Sequence, residues 1–156
     1  MAIAEKLRIY LKELEAKYSL RRHPHTGSSM ETAEAAHVPG DCLAKGVVLK
    51  DTKGFLLVVV PSDYHVELER LNQQFKREMA LAEESELKAL FADCEAGAVP
   101  PIGFAYGVDT VWDTSLGDKE SVWFEAGDHE SLVHLSGRQF HQLMAPAERG
   151  QFSHHV

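Results

Sequence analysis

Apolar positions change period several times along this chain, and each change predicts an element. Ile3, Leu7, Tyr10, Leu11, Leu14 and Tyr18 recur three or four residues apart, so residues 3–17 should form an amphipathic helix with a polar outer face. An extended piece follows around Leu20 to His23. Ser28-Ser29-Met30-Glu31 then has the Ser-x-x-Glu form of a capping box and opens a short alanine-rich helix that ends near His37, stopped by Pro39-Gly40. Leu43 to Leu49 and Phe55 to Val60 read as two strands joined through Asp51-Thr52-Lys53-Gly54, a hairpin. The second strand is apolar on both faces and should lie centrally in a sheet. Leu68, Leu71 and Phe75 mark one helix, and Leu87, Leu90 and Phe91 another.

Past a loop rich in Gly and Pro, strands are expected at Thr110–Trp112, Ser121–Ala126 and Ser131–Leu135. Ser136-Gly137-Arg138-Gln139 repeats the capping pattern with Gln, and Phe140, Leu143 and Met144 give the last helix its apolar stripe. Residues 1–145 therefore read as one mixed α/β domain. Residues 146–156 lack periodicity and are expected to be a flexible polar tail, with His154 and His155 part of its composition.

One residue breaks the pattern where it is costly. Lys45 lies in the run Leu-Ala-Lys-Gly-Val-Val-Leu, and on a strand it shares a face with Leu43, Val47 and Leu49. A lysine is seldom buried without a partner. Either a carboxylate meets it inside the fold, or its face opens on a pocket that receives an anionic or carbonyl-bearing group.

Composition narrows the function classes. The chain has 156 residues, 44% of them hydrophobic, enough for a core that stands without staples. Its formal charge of −8 argues against a protein that coats duplex DNA, because such affinity rests on many Lys and Arg contacts with phosphates. Contact with a nucleic-acid end is still compatible with that charge. Cys42 and Cys94 have no metal-like spacing and suit free thiols in a reducing compartment. The charged start argues against a signal peptide or membrane span, and a cytoplasmic location is expected.

The familiar catalytic motifs are missing: no Gly-x-Ser-x-Gly, no Gly-x-x-x-x-Gly-Lys, no His-Glu-x-x-His and no Cys-x-x-Cys. Three local features remain. Gly97-Ala98-Val99-Pro100-Pro101 combines a permissive glycine with two stiffening prolines, and such a loop can aim backbone N–H groups at one spot. His23-Pro24-His25 has the spacing of two metal ligands on one side of a strand, but the amidohydrolases that use such a pair are barrels of ~250 residues, so no metal site is expected. Ala126-Gly127-Asp128-His129-Glu130 is a polar turn between two strands, with a solvated hairpin as its plain reading.

The order of these features resembles one family. An N-terminal helix, His-Pro before Thr32-Ala33-Glu34-Ala35-Ala36, the strand Ala44-Lys45-Gly46-Val47-Val48-Leu49, then Gly97 to Pro101 and a terminal Leu-x-x-Ser-x-x-x-Phe segment look like the YbaK/ProX aminoacyl-tRNA deacylases. These are related to the editing domain inserted in bacterial prolyl-tRNA synthetase. The resemblance spans about Ile3 to Met144. It implies an α+β fold with a curved, barrel-like mixed sheet flanked by helices, and a pocket that removes a wrong amino acid from the 3′ end of tRNA. Lys45 would be the catalytic lysine, contacting the terminal adenosine or the ester. Gly97, Ala98, Val99, Pro100 and Pro101 would hold the aminoacyl group, with Ser29, Met30 and His129 as further substrate contacts. Members that hydrolyse alanyl-tRNA carry an asparagine in the late turn, where this chain has Asp128-His129-Glu130, so substrate identity does not carry over.

The chemistry is consistent with that reading. An aminoacyl ester is already activated, so fixing a water or ribose hydroxyl against its carbonyl supplies much of the acceleration without a nucleophilic side chain. Synthetases discriminate poorly between small side chains, and a second site is the usual remedy. The expected partners are the aminoacyl-tRNA acceptor end and a synthetase, with no membrane and no cofactor. The alternative is a non-catalytic module that binds an aminoacyl or nucleotide group, or regulates a synthetase.

Overall fold

The computed structural model describes residues 3–156. The first helix, α1 (Glu5–Glu13), buries Leu7 and Leu11 and stops earlier than the apolar spacing predicts. Glu15 takes a left-handed φ of 52°, and the N–H groups of Glu15 and Ala16 close back on Lys12 O and Leu11 O. That pattern is a Schellman stop, and a glutamate in the usual glycine position hides it in the sequence.

Strand β1 (Ser19–Arg22) leads to α2 (Ser29–Ala35), where Ser28 Oγ accepts from Glu31 N–H as the capping box predicts. The reciprocal half differs, since the Glu31 carboxylate accepts from Gly27 N–H. Strands β2 (Leu43–Asp51) and β3 (Gly54–Pro61) form the expected antiparallel hairpin. Asp51 pairs with Gly54, which leaves a two-residue loop, Thr52-Lys53.

Strand β4 (Tyr64–Val66), helix α3 (Leu68–Phe75), the two-residue β5 (Ala80–Leu81) and helix α4 (Glu84–Leu90) follow. Then come β6 (Asp109–Asp113), β7 (Ser121–Glu125), β8 (Ser131–Ser136) and α5 (Gly137–Leu143). In α5 the Ser136 hydroxyl caps Gln139 N–H, while the Gln139 side chain accepts from distant Lys17 N–H and so docks the end of α1.

The fold is mixed α/β. With β9 (Glu148–Gly150) the main sheet runs β1-β8-β7-β2-β3-β6-β9, and β5 adds to β2 off that path. Pairs β2/β7, β3/β6 and β6/β9 are parallel, the others antiparallel. Strand β3 is central as expected. Its Leu57 and Val59 join α1, Phe91, Phe140 and Leu143 on one face, while Leu56, Val58 and Val60 join Leu71 and Phe152 on the other. Period-two alternation splits one apolar strand between two cores.

The C-terminal segment corrects the expectation of a flexible tail. Residues 148–150 pair with β6, and β10 (Ser153–His155) pairs with β4. Phe152 between them is fully buried near Phe75, and its N–H donates to Asp113 at 2.9 Å. A single aromatic flanked by three-residue strands is too short a signal for periodicity to register.

The sheet is interrupted at one place. Strand β2 meets β7 only through Leu43 and Ala44, and β5 only from Leu49, so Lys45 to Val47 are paired on the β3 side alone. Val48 O accepts from Ala82 N–H on the side away from β3. By alternation Gly46 points its N–H and C=O to that same open edge.

Candidate active site

A small cavity of about 110 Å³ opens at this interruption, lined by Ser29, Leu43, Ala44, Lys45, Gly46, Gly97, Val99 and Glu125. Strand β2 contributes the lysine, the start of α2 the serine, the end of β7 the carboxyl, and the loop after α4 the backbone. A larger, mostly apolar cavity of about 260 Å³ adjoins it across Gly46, Gly97 and Val99, walled by Leu87 and Phe91.

Lys45 is half-buried. Its Nζ donates to Ser62 O at 3.2 Å and, among the described residues, makes no ion pair. Ser62 is itself fixed, its N–H on Leu43 O and its hydroxyl on Gly40 O. Burial pushes the Lys45 ammonium below its ordinary pKa, and nearby Asp63 pulls the other way. Of the two sequence alternatives, a buried carboxylate partner or a pocket, the geometry gives the pocket.

The loop is clamped from behind. Glu95 N–H donates to Gly127 O, and His129 Nε2 lies against Ala96 O, which can only accept, so that nitrogen carries the hydrogen. Gly97 has φ +82° and sits on the His129 ring, where a Cβ would approach Cε1 at 3.3 Å. Only Gly97, Ala98 and Val99 have N–H groups, since the next two residues are prolines. Ala98 is buried with its N–H on Glu95 O, and among the described residues the N–H groups of Gly97 and Val99, both of which line the cavity, have no partner. Pro101 lies on β2, its Cα 3.5 Å from where a Gly46 Cβ would stand; the same Cβ would reach Leu57 Cδ1 at 2.7 Å. Glycine at 46 thus lets the loop pack on the lysine strand.

The family model of the aminoacyl-tRNA editing domain matches residues 23–143. The chain belongs to the aminoacyl-tRNA editing domain family. No curated protein matches the sequence. Among solved structures, a hypothetical protein called APE2540 superposes on this editing domain with a TM-score of 0.84 at 22% identity, over 96% of this chain and all of that one. A candidate trans-editing enzyme for prolyl tRNA synthetase gives 0.82 at 19% identity, covering 97% and 96% of the two chains. A candidate signal transduction protein of Marinobacter aquaeolei VT8 gives 0.79 at 22%, over 95% of this chain and 30% of its own. At such identities the likeness shows the fold. No helix among the described residues is long and apolar enough to cross a membrane.

The editing domain brings Lys45, Ser29, Gly97 and Val99 to one cavity. Ala98, Pro100 and Pro101 are buried behind it, and His129 supports the loop from below. Met30 is 51% exposed and does not line the cavity. The late turn is not the solvated hairpin of the plain reading. Asp128 and His129 are buried, and the Asp128 carboxylate accepts from Glu130 N–H, Ser131 N–H and the Ser131 hydroxyl. His23 and His25 diverge: His23 turns inward to Glu125, whereas His25 stays exposed beside Glu95. Sequence reasoning passed over Gly46 and Glu125. The signal for Glu125 was a lone carboxylate in Val-Trp-Phe-Glu-Ala, the same kind of break that marked Lys45.

Proposed function

We propose that this chain is a trans-editing deacylase, which hydrolyses the ester between a wrong amino acid and the 3′ end of a tRNA. The observation that carries the reading is Lys45, which among the described residues has no ion pair, at the open edge of β2 in one cavity with Gly97 and Val99, whose backbone N–H groups have no partner among those residues. Such a pair of features suits a substrate with an anionic phosphate at one end and a carbonyl nearby. Lys45 takes the phosphate or ribose of the terminal adenosine. Gly97 and Val99 donate to the ester carbonyl oxygen as it gains charge, and because both are preorganised they cost no rearrangement at that moment. Water adds to the carbonyl carbon, the bond to the ribose oxygen breaks, and that oxygen leaves with a proton that came from the water. Family membership supports this class of reaction, and the solved candidate trans-editing enzyme supports action without a fused synthetase.

The test is a panel of purified aminoacyl-tRNAs, each incubated with the protein and with buffer alone. The reading predicts at least one ester cleaved well above the buffer rate. Tight binding of the acceptor end with every ester cleaved at the buffer rate would establish the non-catalytic module instead.

A further inference from the structure

Glu125 is the sole carboxyl among the residues lining the Lys45 cavity. Its side chain is only 8% exposed, yet among the described residues neither buried carboxyl oxygen has a hydrogen-bond partner, since the nearby Thr32 hydroxyl donates to Ser28 O instead. A buried acceptor left open in this way costs free energy, and a ligand that brings donors recovers it. His23 stands behind it, fully buried, with Nε2 3.5 Å from Glu125 Oε1. His23 Nδ1 lies 2.7 Å from Pro24 O, so Nδ1 carries a hydrogen and Nε2 is the atom free to take or give one. Burial pushes the Glu125 carboxyl above the usual range, Thr32, His23 and His129 draw it back, and Asp128 adds to the rise.

We propose that Glu125 is the receptor for the free α-ammonium of the aminoacyl group, so that the site accepts aminoacyl esters and passes over N-acylated ones. The inference rests on the editing reading and adds its substrate class. An ammonium carries three donors and one positive charge, and the open oxygens of Glu125 match both. Lys45 repels that ammonium and attracts phosphate. The two ends of the cavity therefore orient the substrate, with phosphate at Lys45, ester carbonyl at Gly97 and Val99, and amine at Glu125. The amine donates its N–H groups to the open Glu125 oxygens, with the buried His23 imidazole packed behind them. An N-acylated substrate offers one neutral N–H and leaves the carboxyl under-satisfied.

The experiment compares an aminoacyl-tRNA with its N-acetyl form on the same tRNA, in single turnover, for wild type and Glu125→Gln. Wild type should favour the free amine by at least ~10-fold, the scale of a hydrogen bond to a charged group, and in the variant this ratio should collapse towards one. Glu125→Asp, which keeps the charge, should retain part of the preference. Equal wild-type rates on the two esters would overturn the inference while leaving the deacylase reading intact. So would a variant that slows both esters equally, because the carboxyl would then act on the reaction and not on the amine. If no ester is cleaved, the deacylase reading fails, and binding of the alanyl amide of 3′-amino-3′-deoxyadenosine decides this one. Tighter binding than of its N-acetyl form upholds an ammonium site, and equal binding removes it.

Discussion

Lys45 is held against the Ser62 carbonyl with no ion pair among the described residues, and the net effect of its burial outweighs the pull of nearby Asp63, so its charge costs stability in the empty protein. Lys45→Met keeps a stem of similar length on the half-buried position and removes only the ammonium. The expected result is a Tm equal to or above wild type with deacylation reduced by ~100-fold, the scale of losing one stabilising group in a preorganised site. A melting curve beside a single-turnover assay checks both halves. Gly97 makes a second residue-scale case. A valine there meets a left-handed φ of +82° and the His129 ring, so the N–H groups of Gly97 and Val99 lose their shared aim. Gly97→Val should slow turnover by ~100-fold, while Glu95→Ala, next to the loop and exposed, should change it little. Comparable rates for wild type and a folded Gly97→Val protein would remove the loop from the mechanism.

Among elements, the β2/β3 hairpin is secured at its turn by Arg77, just past α3. Its guanidinium donates to both oxygens of Asp51, Nε to Oδ2 at 2.5 Å and Nη2 to Oδ1 at 2.7 Å. Arg77, helped by the N–H groups of Lys53 and Gly54, holds the Asp51 carboxyl at about 2. A depressed carboxylate stabilises the fold fully above the ordinary range near ~4, and loses that contribution as the pH falls from there towards 2. Wild type should therefore melt above Arg77→Leu at pH 7, and the gap should close in melts below pH 4; a constant gap would show that packing and not charge is at work. The hairpin was legible in the sequence because strand period, turn chemistry and apolar content agreed there. So were α2 to α5, whose stripes face one core each. Strand β5 and the stop of α1 were not legible, since a two-residue strand has no period and Glu15 stands where a glycine would have announced the turn. At the site, Lys45 was readable as one misplaced charge, and Glu125 carried the same kind of signal, but Gly46 acquires meaning only when β2, β7 and the Gly97 loop converge from distant parts of the chain.

At the scale of the whole molecule, the C-terminal strands tie the far side of the sheet back towards the lysine. His155 contacts Asp63, next to the Ser62 that fixes Lys45, and Val156 N–H donates to Asp63 O. Phe152 anchors the segment with no exposed surface. Phe152→Ala should cost about 3–5 kcal/mol and lower Tm by on the order of 10 °C; a loss of a degree or less would mean that the segment contributes little to the fold. Net charge sets the mode of binding. A chain of charge −8 that grips only an acceptor end should release few counterions, so log K against log salt should be shallower than about −2. A slope several times steeper would indicate a broad grip on the tRNA body. The central claim, that a lysine without an ion pair and two backbone N–H groups cleave an aminoacyl ester without a nucleophilic side chain, is tested most directly by one comparison. Single-turnover hydrolysis of the most reactive aminoacyl-tRNA is measured for wild type and for folded Lys45→Met. The account predicts rapid cleavage by the first and a rate ~100-fold lower for the second; equal rates for the two proteins would contradict it.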